Sequence, residues 1–219
     1  MAKKSQVAKK PIVQKKPRGK PDERCIAFCL NGRCCTRKID RPWSSRVTAA
    51  PVPYCRHHAK HGDGAVRVAS HPVCGKILVA RHRLPKGYRI VYHGARRTSG
   101  RDDDKVDWDE DRTLWFYPEG REEGRSNGYI DPTSHKGSVL QFAACVGPGE
   151  LVNIRQSGRG YGRRDGDYAG MEYVTTMPVP AGTQLVHYYG SEWWRDRPEL
   201  RRCDVGTEKY PAPKRKTRA

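Results

Sequence analysis

The sequence is short of apolar residues: 36% are hydrophobic and 31% charged. That is below the usual globular share, so part of the chain is expected to stay outside any packed core. No apolar run approaches the roughly 20 residues that a bilayer span needs, which excludes a membrane span of that kind. The lysine-rich start is not followed by the apolar core of a signal peptide. The expectation is a soluble intracellular protein, not a secreted one. Long helix-period patterns and internal repeats are also missing, which leaves a mainly β architecture of short strands and irregular connections. Negative charge is scarce as well. With Lys+Arg 43 against Asp+Glu 24, the formal net charge is +19, which favours polyanionic partners, either nucleic acid or acidic protein surfaces. A length of 219 residues holds one domain of ordinary size plus small attachments.

Much of the positive charge sits at the ends. Residues 1–24 alternate lysine pairs (Lys3 and Lys4, Lys9 and Lys10, Lys15 and Lys16) with Pro11, Pro17 and Pro21. Such a segment has almost nothing to bury and reads as a flexible arm that neutralises phosphates or as a nuclear-import signal. Residues 196–219, with Lys214, Arg215, Lys216 and Arg218, read as a second basic tail. The acidic run Asp102, Asp103, Asp104, Asp107 and Asp109 is read as a solvated loop.

Eight cysteines are present, bunched towards one end beside histidines, which points to metal ligation rather than disulfides. Residues 25–62 carry a cysteine cluster followed by Cys55-x-x-His58. A structural zinc site needs four S and N ligands around one ion, and Cys-x-x-His offers two from a single turn. Gly32 lets the first loop close tightly. The spacing resembles a small zinc knuckle of chromatin and viral proteins: Cys-x-Ala first, then a Gly, a second Cys three residues later, and a closing Tyr-Cys-x-x-His. On that register the ligands are Cys25, Cys35, Cys55 and His58. Cys29 and Cys34 are alternatives to Cys35, and His57 and His61 to His58. A metal would supply folding energy to a segment too poor in apolar residues to form its own core.

Further on, strand-like runs cover Lys76 to Arg81 and Tyr88 to Tyr92, joined by the turn residues Leu84 to Gly87. Thr113 to Tyr117 is a short aromatic strand candidate, and Gly128 to Asp131 leads into another β segment. Ser138 to Ala144 is apolar and of ambiguous type. Gly147 to Gly170 is dense in Gly and Arg and reads as loop except for Leu151 to Arg155. Met171 to Thr176 and Gln184 to Tyr189 then flank the turn segment Pro178 to Gly182.

Three of these stretches, CGKILVARHRLPKGYRIVYHG, GYIDPTSHKGSVLQF and EYVTTMPVPAGTQLVHYYGSEWW, together resemble the SET domain, the β-rich fold of most protein-lysine methyltransferases. The last match is the strongest. The resemblance covers about Val68 to Trp194 and implies a SET-like domain over residues 66–195. It implies S-adenosylmethionine as cofactor, bound by the turn Gly75, Lys76 and Ile77, by the pair Ala144 and Cys145, and by Trp194. It also implies that Tyr189 lines the channel in which the substrate amine meets the methyl donor, with positioning supplying much of the catalysis.

The sequence departs from the family at that pocket. Ile77 replaces the second glycine of Gly-x-Gly, and Gln141 to Cys145 stand where the family has Arg-Phe-Ile-Asn-His, so Ala144 lacks the hydrogen bonds of an Asn. One such buried contact is worth about 1–3 kcal/mol. The family's cysteine-rich tail is absent, since Cys203 stands alone. The favoured expectation is therefore a degenerate SET-like protein, a zinc-containing basic component of a nucleoprotein or viral assembly. The alternative is an active S-adenosylmethionine-dependent lysine methyltransferase acting on basic or chromatin-like proteins.

Overall fold

A computed structural model describes residues 24–39, 51–71, 75–97, 114–116, 128–133, 135–146, 151–162 and 168–189. The basic arm up to residue 23, the acidic run, Trp194 and the C-terminal tail lie outside the described residues. The protein is mainly β, with short strands and irregular loops.

Among the described residues one short helix, α1 (Arg56–His61), precedes nine strands: β1 (Val66–His71), β2 (Gly75–Ala80), β3 (Arg89–Arg97), β4 (Leu114–Phe116), β5 (Gly128–Asp131), β6 (Ala144–Cys145), β7 (Ile154–Tyr161), β8 (Tyr168–Thr175) and β9 (Val186–His187). A 3₁₀ turn, Val139–Phe142, leads into β6. The central sheet has the order β4-β5-β3-β8-β7, while β1 and β2 form an antiparallel pair and β6 and β9 a parallel one. Leu78, Ile90, Ile130, Leu140, Tyr173 and Leu185 meet in the main core.

The runs on either side of Pro178 to Gly182 do not pair with each other. β8 pairs with β3 and β7, whereas the chain after the turn bridges Gln184 to Val79 and then runs beside β6. The stretch expected as loop after Arg155 is instead the edge strand β7, through Tyr161, and β8 starts at Tyr168. An edge strand needs only backbone pairing on one side, so a Gly- and Arg-rich segment with exposed side chains serves. Its ladder with β8 breaks between Gln156 and Gly160, around Gly158 at φ +80°.

The cysteine-rich segment lies against this sheet. Phe28 belongs to the main core, and Val91 and Tyr161 join the cluster around Cys25, Ala27, Cys35, Tyr54 and Cys55. Asp63 joins the parts. Its carboxylate accepts the Phe28 and Ala65 backbone N–H groups, each at 3.0 Å, and the Tyr88 hydroxyl at 2.5 Å. Burial pushes its pKa up to about 6 in spite of these three donors. Gly64 allows the contact: a Cβ there would sit 2.5 Å from the Cys29 carbonyl carbon. Tyr54 adds a second tie by accepting the Val91 N–H at 2.9 Å.

Candidate functional site

Residues 24–38 form a small antiparallel hairpin. Cys25 N–H donates to the Arg37 carbonyl and Cys35 N–H to the Ala27 carbonyl, with bridges between Arg24 and Lys38 and between Phe28 and Cys34. Gly32 turns it at φ +78°. Side chains alternate along such a ladder, so Cys25, Ala27 and Cys35 point inward and Cys34 outward. Cys55 caps α1 and His58 follows three residues later, so both face the hairpin from one turn.

Cys25, Cys35, Cys55 and His58 thus come together, all buried, with their ligand atoms within 4.8 Å of one another. The Cys35 and Cys55 sulfurs are 3.9 Å apart, and His58 Nδ1 lies 3.3 Å from the Cys25 sulfur and 3.4 Å from that of Cys55. A tetrahedral zinc ion with ordinary bond lengths would set sulfur–sulfur edges of about 3.8 Å and sulfur–nitrogen edges of about 3.5 Å. The donor set therefore fits a structural zinc ion. Cys29 is half-buried and Cys34 exposed, and neither belongs to the cluster. His57 and His61 are exposed on α1, their rings 4.7 Å apart.

The electrostatics agree with this fit. Burial, helped by like charge on its neighbours, raises the Cys25 thiol well above its usual value, and burial also raises Cys35. For Cys55 burial acts upward too, but a hydrogen bond from the His58 main chain and the adjoining thiols bring it below the ordinary value. Three thiols this close cannot all ionise without a cation among them, and a dication supplies that charge. Burial, with the charges of His57 and Arg37, holds His58 down at about 4, so its ring is neutral near pH 7, as a ligand must be. The ring also bonds the Phe28 main chain, the kind of outer partner that orients metal-bound imidazoles.

The segments implied by the resemblance also converge, in a different chemical state. β2 is bonded to the incoming chain through Leu185 N–H to the Leu78 carbonyl and Ala80 N–H to the Thr183 carbonyl, both at 2.9 Å. Ala144 pairs with Val186 and Cys145 with His187. The Tyr189 hydroxyl donates to the Ala143 carbonyl, and its ring lies 4.4 Å from that of His187. The Lys76 ammonium sits 5.6 Å from the centre of the Phe142 ring. Gly75 is exposed at φ +67°, whereas Ile77 is buried. Among the described residues here, Ala144 contributes a methyl group and Ile77 a buried hydrocarbon side chain, while the Ala143 carbonyl accepts the Tyr189 hydroxyl.

Sequence reasoning did not single out Asn153. Its side chain donates to the Gln184 carbonyl at 2.7 Å and accepts the Val186 N–H at 2.9 Å, clamping the chain on its way to Tyr189. Nothing marks it in the sequence beyond an Asn beside a short apolar run. Asp63, between two glycines at the end of α1, carries a weak signal that only the fold makes readable.

No family model and no curated protein matches the chain. Among solved structures it is similar to the methyltransferase domain of human PR domain-containing protein 2, at 17% identity and a TM-score of 0.37, over 70% of this chain and 97% of that one. A likeness at that level carries no argument about chemistry.

Proposed function

We propose that this protein is a non-catalytic, zinc-stabilised component of a nucleoprotein assembly, whether chromatin or a viral particle, that holds nucleic acid through its basic surface and arms. The observation that carries the non-catalytic half is the state of Tyr189. Its hydroxyl is committed to the Ala143 carbonyl, and the flanking residues Ile77 and Ala144 lack the groups that would hold a methyl donor. The net charge of +19 supports the nucleic-acid half. In this reading residues 25–62 form a metal-held module and residues 66–195 a scaffold that carries it, inside a cell or particle rather than secreted.

An active lysine methyltransferase is the second reading. It is favoured by the meeting of residues 75–77, 141–145 and Tyr189 in one region, which is what a cofactor pocket closed by a channel tyrosine requires. Calorimetric titration with S-adenosylmethionine, followed by labelled-methyl transfer to histone and ribosomal protein mixtures, separates the two. The non-catalytic reading expects no heat at millimolar cofactor and no transfer. Saturable binding with transfer lost in Tyr189→Phe would overturn it.

A further inference from the structure

Beside the four ligand residues lies a cleft of about 480 Å³ lined by Arg37, Lys38, Arg56, His57 and Lys60, with Cys55 at its wall. Its two sides come from distant parts of the chain. Arg37 and Lys38 leave the hairpin just after Cys35, and Arg56 to Lys60 lie on α1 around Cys55 and His58. An ion held by those ligands would fix both walls.

All five side chains are exposed. Among the described residues no carboxylate lines the cleft, and the four Lys and Arg side chains make no hydrogen bond or ion pair. Arg89 shows the contrast: its guanidinium lies 2.5 Å from the Glu172 carboxylate and 3.2 Å from the Tyr161 hydroxyl. There a cation is spent on the fold. In the cleft four cations stand together on an open, shallow surface, and their summed positive field favours an anion there.

We propose that this cleft binds the phosphodiester backbone of a nucleic acid, so that the metal-held module is a phosphate-binding site in its own right rather than a mount for the arms. The two guanidinium forks can each grip a phosphate through paired N–H groups, and the lysines add point charge. Charge favours nucleic acid over a small anion: the cleft gathers four of the cations of a chain whose formal net charge is +19, and a polyanion can meet the cleft and other cations of the surface at once. The inference rests on the nucleic-acid reading above and places its contact.

The test is fluorescence anisotropy of the zinc-loaded full chain with a labelled RNA of about 20 nucleotides, at roughly 50 to 200 mM salt. The Arg37→Gln, Lys38→Gln, Arg56→Gln, Lys60→Gln variant is compared with a charge-matched Arg67→Gln, Arg83→Gln, Arg155→Gln, Arg159→Gln variant, all at exposed positions. Unchanged zinc content in both excludes misfolding. The cleft variant should lose at least about tenfold in affinity, with the slope of log affinity against log salt falling by about 2–3, while the matched variant loses under about threefold. Equal losses in the two variants, or an unchanged cleft variant in a chain that binds RNA, would overturn the cleft and leave the wider reading standing. Displacement of RNA from the cleft by polyglutamate of equal charge would also overturn it, in favour of an acidic protein partner. No binding by the unmodified chain would overturn both.

Discussion

The Cys25–His58 cluster and the Tyr189 region of this protein share the same ingredients: a motif spacing, a set of converging elements and buried side chains. They differ in what the converging atoms can do. At Cys25, Cys35, Cys55 and His58 the donor atoms lie within 4.8 Å of one another, three of the separations being 3.3, 3.4 and 3.9 Å, and a dication among them would offset the charge of ionised thiols. At Tyr189 the backbone skeleton converges equally well, but its polar groups satisfy one another, and the side chains contribute a methyl at Ala144 and a buried hydrocarbon at Ile77. Convergence of elements is a property of the fold, whereas function is a property of the atoms delivered to the meeting point.

The largest effect that sharpens the contrast is on stability. Cys55→Ser, or removal of metal with a strong chelator, should cost at least about 3 kcal/mol, because structural zinc supplies folding energy directly. Cys34→Ser, one residue from a ligand but exposed, should stay within about 0.5 kcal/mol. Chemical denaturation of the two variants side by side checks this, and equal effects would erase the distinction between cluster and bystander cysteines.

Next in size is Asp63→Ala. It leaves the Phe28 N–H, the Ala65 N–H and the Tyr88 hydroxyl without their shared acceptor, at a cost of about 2–4 kcal/mol. Because Asp63 joins the cysteine-rich segment to the sheet, the zinc-loaded variant should also lose zinc more readily to a competing chelator. A stability loss with no change in zinc retention would show that the two parts are not coupled through it.

A pH titration gives a further handle. His93 is fully buried and bonded to the Gly137 carbonyl at 3.1 Å and the Tyr168 hydroxyl at 2.8 Å, and burial pulls its pKa down to about 3. The folded value lies below the unfolded one near 6.5. Its stabilising contribution is therefore complete above about pH 6.5 and is lost as the pH falls towards 3, by up to about 1.4 kcal/mol per pH unit. Between pH 6 and 4 the His93→Gln variant should show a shallower loss than the unmodified chain. Parallel curves would mean that His93 is not held neutral.

The smallest effect belongs to Tyr189. Replacing it by Phe removes one hydrogen bond to Ala143 and should cost about 0.5–1.5 kcal/mol in stability.

What was legible in the sequence divides along the same line. The grouping of Cys25, Cys35, Cys55 and His58 was legible through the resemblance of their spacing to a zinc knuckle, which left Cys29 and Cys34 open beside Cys35 and His57 and His61 beside His58. The choice of Cys35 over Cys34 follows from strand parity, which became clear only once the hairpin was in view. Gly128 to Asp131, which the sequence reads as leading into a β segment, is itself strand β5. The β7 edge strand was not, because its pairing is made by the backbone and leaves no apolar alternation to read. The parallel contact of β6 with β9 was equally hidden, since two-residue strands have no period. Asp63 and Asn153 organise the interior through hydrogen bonds to backbone groups far away in sequence, and nothing local records such partners.

The most direct test of the contrast between the two regions is native mass spectrometry of the full chain with both zinc and S-adenosylmethionine added. One zinc ion per chain and no S-adenosylmethionine adduct is the predicted spectrum. A chain that carries the cofactor, or that carries no zinc, would contradict it.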